Sequence, residues 1–120
     1  MIMKIRKYLI CLLIIGVIVV VIYQRDYNIN NIPKGNFCEE IISPNQKYAL
    51  KSYIIDSNSS ITADSTRVEF INYDTGRKYN IYYNYPEYHI DMKWIDNEIV
   101  EINGKRLNVF EDTYHWRKNQ

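Results

Sequence analysis

The chain has 120 residues, of which 24% are charged and 14% aromatic, and its formal net charge is +1. That length leaves room for one small domain, and a charge balance this close to neutral gives no basic footprint for a nucleic acid. The four glycines stand apart from one another, which excludes a glycine-rich phosphate loop.

Residues 8–23, "YLICLLIIGVIVVVIY", are sixteen residues with no charge among them. At about 1.5 Å of rise each they reach roughly 24 Å, a little under the hydrocarbon thickness of a bilayer. Tyr8 and Tyr23 sit at the two ends, where amphipathic rings prefer the headgroup level. Lys4, Arg6 and Lys7 precede the stretch with no acid among them, whereas Arg25 and Asp26 cancel just after it. The positive-inside rule therefore sets residues 1–7 in the cytoplasm, 8–23 across the membrane and the remainder outside. No pair of small residues follows the stretch where a signal peptidase would need one, so it reads as an uncleaved signal-anchor. The lipid bilayer is the first expected partner.

Three of the fifteen basic residues precede the anchor, which leaves twelve against fourteen acids outside and a formal charge of −2. Cys11 lies within the span and Cys38 beyond it, so the two cannot approach to form a disulfide. Cys38 is expected as a buried thiol in the first strand, with an intermolecular disulfide as the other reading.

Residues 24–36, "QRDYNINNIPKGN", are polar and Asn-rich with one Pro and one Gly, and read as a tether. From residue 37 to 120 the hydrophobic period becomes two. Val68 and Phe70 alternate with Arg67 and Glu69; Tyr79, Ile81 and Tyr83 with Asn80, Tyr82 and Asn84; Ile90, Met92 and Trp94 with His89, Asp91 and Lys93. Turns are marked at residues 43–46, 74–76 and 96–97, and most strongly at Asn103-Gly104, where both positions of a two-residue hairpin want positive φ. Residues 56–65 form a Ser-rich loop. The expected fold is mainly β: an N-terminal transmembrane helix followed by one small antiparallel meander of six or seven strands.

No constellation for catalysis stands out. His89 and Asp91 share one face of a strand but lack a third metal ligand, and no serine sits in a nucleophile elbow. Glu39-Glu40 and Glu111-Asp112 are adjacent pairs that point to opposite strand faces. The expectation is therefore a protein that is not an enzyme, with no catalytic residue, no metal and no cofactor. The densest aromatic run is "YNIYYNYPEYHIDMKW", residues 79–94, where Tyr82, Tyr85 and Tyr88 are expected opposite the core. Such a face suits a binding module for an envelope protein or glycan, while cross-strand ring packing is the competing explanation. The alternative function is an accessory or immunity-type subunit that acts through its transmembrane helix.

"SPNQKYALKSY", "YNIYYNY", "KWIDNEIVEINGKRLNV" and "DTYHWR" resemble a family of small membrane-anchored Firmicute proteins, domain-of-unknown-function family 5412. The likeness covers residues 41–117 and is most specific in the hairpin from Trp94 to Gly104 and the tail from Asp112 to Trp116. Gln46 stands where the pattern has glycine, and the loop at 56–65 is richer in serine than the pattern. The resemblance implies an envelope location and one compact domain, and no activity.

Overall fold

The computed structural model describes residues 2–118, apart from the side chains of residues 2–3 and 23–27. Tyr23, Arg25 and Asp26, expected to mark the outer end of the span, therefore have side chains outside the described residues. Helix α1 runs over Ile2–Tyr27, with no proline to interrupt it. Its window Lys4–Ile22 has a mean hydropathy of 2.6 and none of it is buried, so it is long and apolar enough to cross a membrane. Length and composition of this kind fit either an anchor or a signal sequence.

An asparagine turn ends the helix: Asn30 N donates to Asn28 Oδ1 (2.9 Å) and Asn31 N to Asn28 O (3.0 Å). The chain then enters eight strands: β1 (Asn36–Ile42), β2 (Tyr48–Ile55), β3 (Ser65–Asn72), β4 (Lys78–Asn84), β5 (Met92–Trp94), β6 (Ile99–Ile102), β7 (Lys105–Asn108) and β8 (Tyr114–His115). They form a five-stranded sheet in the order β1-β2-β3-β4-β8 and a three-stranded sheet β5-β6-β7. Every pairing is antiparallel except β4 with β8. The expected β class and antiparallel meander hold, but the described residues form eight strands rather than six or seven, in two sheets and with one parallel pairing that periodicity did not mark.

The turns behave as their residues dictate. Asn103 (φ 48°) and Gly104 (φ 82°) both lie in the left-handed region and close the β6-β7 hairpin. Gln46 takes φ 63° in the turn before β2, which is why glycine suits that position. At Gly35 a Cβ would meet Ile54 O and Ile55 Cγ1 at 2.9 Å, so the approach to β1 needs glycine.

One face of the large sheet packs on the small sheet. Leu50, Val68, Phe70, Ile81 and Tyr82 from the first meet Met92, Val100, Ile102, Leu107 and Val109 in and after the second. Trp94 Nε1 donates to Ile41 O (3.2 Å) and ties the small sheet to strand β1.

The opposite face of the large sheet holds the segment expected as a free tether. Asn80 N donates to Asn30 Oδ1, and Asn80 Nδ2 to Ile29 O, each at 2.9 Å. Arg67, only 6% exposed, donates through Nε to Lys34 O (2.9 Å) and through Nη1 to Asn80 Oδ1 (2.8 Å). Its guanidinium lies 3.8 Å from the Tyr53 ring centroid and pairs with Glu69 at 3.6 Å. Residues 28–34 are thus a strap fastened to the sheet by the Asn30 side chain and by the Ile29 and Lys34 carbonyls, which accept from Asn80 and the buried Arg67.

Cys38 is a correction. The β1-β2 register shifts between Phe37 and Glu39, and Cys38 occupies the bulge on an edge strand, so its thiol is exposed and donates only to Asn36 O (3.5 Å). His89 and Asp91 fall before β5 rather than in it, and both are exposed.

Candidate functional site

A bulge in β4 decides where its tyrosines point. Val68 pairs with Tyr82 and Glu69 with Asn80, so Ile81 is the extra residue and the alternation reverses across it. Tyr79 and Tyr82 consequently both face the core, and Tyr83 lies beside Arg67 on the other face. Tyr82 is therefore not on an exposed surface: it is fully buried, stacks on Tyr114 (5.3 Å) and donates to both Glu87 oxygens (2.8 and 2.9 Å). Burial, and next the hydrogen bond to Glu87, raise its pKa well above the ordinary phenol value. Thr66 Oγ1 and Asn84 Nδ2 also donate to Glu87, each at 2.6 Å, which makes this carboxylate the polar clasp of the sheet end.

The three expected binding tyrosines are thus divided. Tyr82 belongs to the core, Tyr88 is 63% exposed and lies beyond the cis Tyr85-Pro86 peptide, and Tyr85 turns into a cleft. The cleft has a volume of about 380 Å³ and lies between the loop after β2 and the chain after β8. Ser57, Thr62, Ala63 and Ser65 form one wall. The other is made by Tyr83, Tyr85, Trp116 and Arg117.

Short β8 brings the second wall into place. Tyr82 pairs with Tyr114 and Tyr83 with His115, and Trp116 N continues the ladder to Tyr83 O (3.0 Å). His115 stacks on Tyr83 at 5.3 Å and 16°, while the rings of Tyr85 and Trp116 lie 5.1 Å apart at 41°. The guanidinium of Arg117 sits 5.1 Å from the Trp116 ring. Tyr85 Oη accepts from Ala63 N (3.3 Å), which fixes the loop and leaves the phenolic proton to donate elsewhere. Trp116 Nε1 is buried with no hydrogen-bond acceptor among the described residues. A buried donor left unsatisfied costs about 1–3 kcal/mol, and this nitrogen carries that cost out of reach of solvent.

Tyr83, Trp116 and Arg117 also line a smaller space of about 120 Å³ against Asn31, Ile32 and Pro33. The strap and the cleft therefore share a wall. Sequence reasoning missed Tyr83, Trp116 and Arg117 because two-residue β8 has no period to read; the aromatic tail "YHW" was the available signal.

His115 is buried, and burial first, then the charges of Lys118 and Arg117, lower its pKa. Its neutral ring accepts from Arg117 N at Nδ1 (3.2 Å). Because the folded pKa lies below the unfolded value of about 6.5, the unfolded chain takes up the proton first as pH falls, and stability is lost below that point until folded His115 also protonates. Urea midpoints at pH 7.5 and 5.5 check this: the fall is expected to be smaller in a His115→Phe variant, and equal falls would contradict it.

Among the described residues no three His, Cys, Asp or Glu side chains converge as a metal site. Glu40 accepts from Tyr73 Oη (2.6 Å) and pairs with Lys51 (3.6 Å), and Asp112 accepts from Asn108 N (2.8 Å), so these members of the acid pairs hold structure.

A family model described as "Family of unknown function (DUF5412)" matches residues 3–119. No curated protein and no solved structure matches the chain.

Proposed function

The chain belongs to the DUF5412 family of unknown function, and from that premise we propose that it is a membrane-anchored domain that works by binding and not by catalysis. Helix α1 anchors it in the cytoplasmic membrane with Lys4, Arg6 and Lys7 inside, and the β domain stands outside at the cell envelope. The cleft is the observation that carries this reading. It joins the Tyr83, Tyr85 and Trp116 rings and the Arg117 guanidinium, and its volume falls in the range of about 300–1,000 Å³ usual for ligand sites. No nucleophile paired with a base lines it among the described residues.

Full-length protein in lipid nanodiscs, sedimented with isolated cell envelopes, tests the proposal. An Arg117→Glu variant, changed at an exposed position, is expected to stay in the supernatant while keeping a urea midpoint near that of the wild type. Equal sedimentation of the two proteins would contradict a role for the cleft.

A second reading, an accessory or immunity-type subunit acting through α1, is favoured by the apolar groove around Gly16, flanked by Leu9, Leu13, Val17 and Val20. Exchange of α1 for an unrelated transmembrane helix separates the two. Function retained supports the cleft, and function lost supports the helix.

A further inference from the structure

Taking α1 as the membrane anchor proposed above, we infer that the β domain lies on the same bilayer, with the exposed part of the large sheet's strap-bearing face against the phospholipid headgroups. The connection is too short for the domain to stand clear. Helix α1 ends at Tyr27, and Ile29 O already accepts from Asn80 Nδ2 (2.9 Å), so about 7 Å of chain at most separates helix and sheet. Beyond the apolar window that ends at Ile22, residues 23–27 add about 7.5 Å of helical rise, close to the thickness of about 5–7 Å for one headgroup layer. The sheet is therefore first gripped at the outer limit of the headgroups, within reach of its longer side chains. From there the strap does not lead away: Asn30 on Asn80, Lys34 on Arg67 and Gly35 against Ile54 carry it along the face from β4 through β3 to β2.

What the strap leaves uncovered has the composition of an interfacial surface. Register sets Glu40 and Ile42 of β1 beside Lys51 and Ala49 of β2, away from Leu50 and the core, and the edge-on contact of Phe37 with Tyr53 (5.8 Å) sets Phe37 on the same face. Phe37 is 57% exposed, Ile42 53%, and Tyr73, whose hydroxyl reaches over the face to Glu40, 48%. The acids of the face are answered from within it: Glu40 pairs with Lys51 and Glu69 with Arg67, each at 3.6 Å. Lys78, two residues before Asn80, and Lys34 on the strap are exposed and form no ion pair among the described residues. Apolar and tyrosine side chains with an excess of lysine settle at headgroup level, where the rings and alkyl groups reach inward and the ammonium groups meet phosphates. The outer side of the small sheet differs, since Lys93 and Arg106 there both pair with Glu101. Headgroups are open to water, so this placement leaves the Cys38 thiol within reach of a soluble reagent.

Fluorescence quenching of the full chain in nanodiscs of phosphatidylcholine and phosphatidylglycerol tests this. Both native thiols are removed as Cys11→Ser and Cys38→Ser, and one thiol is returned at a time by Ile42→Cys, Lys78→Cys or Arg106→Cys, all at exposed positions. Each protein is labelled with a bimane maleimide, and part of the phosphatidylcholine carries a nitroxide on its headgroup. The labels at residues 42 and 78 are expected to lose most of their emission to the nitroxide. The label at 106, on the far side of a second sheet packed about 10 Å from the first, is expected to stay as bright as in lipid without nitroxide. Equal quenching at all three positions would overturn the inference, because no face would then be preferred. Bright labels at 42 and 78 in protein that co-elutes with the nanodiscs would also overturn it and leave the anchor standing. Protein that elutes apart from the nanodiscs would overturn the anchor, and the inference with it.

Discussion

Phe70→Ala is expected to bring the β domain to the edge of unfolding at room temperature. Phe70 is 1% exposed and stands at the centre of a ring cluster, with Tyr79, Tyr48 and Phe110 centroids at 5.1, 5.4 and 5.5 Å. Removing a buried phenyl group costs about 3–5 kcal/mol, through lost transfer energy and the cavity left behind. The rings around it cannot collapse inward, because Tyr79 is held by its hydroxyl on Val109 O (2.8 Å) and Tyr48 by its place in β2. Domains of this size are stable by only about 5–15 kcal/mol, and a short chain lies toward the lower end. Urea unfolding of the full chain in detergent, followed by circular dichroism, checks the effect; a midpoint close to that of the wild type would mean that the cluster is not the core.

Arg67→Ala is the second large effect, and it reaches from the fold to the anchor. The substitution leaves Lys34 O and Asn80 Oδ1 without their donor, strips the cation from the Tyr53 ring and abandons Glu69 on a partly covered face. Breaking a buried charge network in this way costs about 3–5 kcal/mol, with the lower figure expected here because the Glu69 side chain is 22% exposed. The strap should also come loose, since Asn80 then loses the side chain that orients it toward Asn30 and Ile29. Arg67→Lys keeps the charge but not the planar fork and should fall between the two. Tryptic cleavage after Lys34 under native conditions reads the strap directly. It is expected to be slow in the wild type and fast in Arg67→Ala, and equal rates would show that the strap is not held by this residue.

Much of the fold was legible where a local rule acted alone. Uninterrupted apolar residues gave α1 away, alternation at Val68 and Phe70 marked β3, and Asn103-Gly104 fixed the β6-β7 hairpin by its need for positive φ. The illegible parts depend on partners far along the chain. The β4 bulge inserts Ile81 and reverses the faces after it, so alternation placed Tyr82 outside when it belongs inside. The strap forms through bonds between residues fifty positions apart, Asn30 with Asn80, and looks like any polar tether from its composition. The cleft needs β8, whose parallel pairing through two residues has no period of its own. Tyr85 was found for its aromatic character, and its partners Trp116 and Arg117 were not, because only tertiary structure unites them.

The exposed bulge at Cys38 offers the most direct test of an outward-facing domain. Cys11 lies within the apolar helix, where a bilayer would cover it, so Cys38 is the thiol that a membrane-impermeant maleimide should reach in intact cells. Labelling of the wild type without permeabilisation or denaturant, absent in Cys38→Ser, is the result expected. Labelling that appears only after the membrane is permeabilised would put the domain in the cytoplasm and contradict both the topology and the proposal that it binds at the envelope.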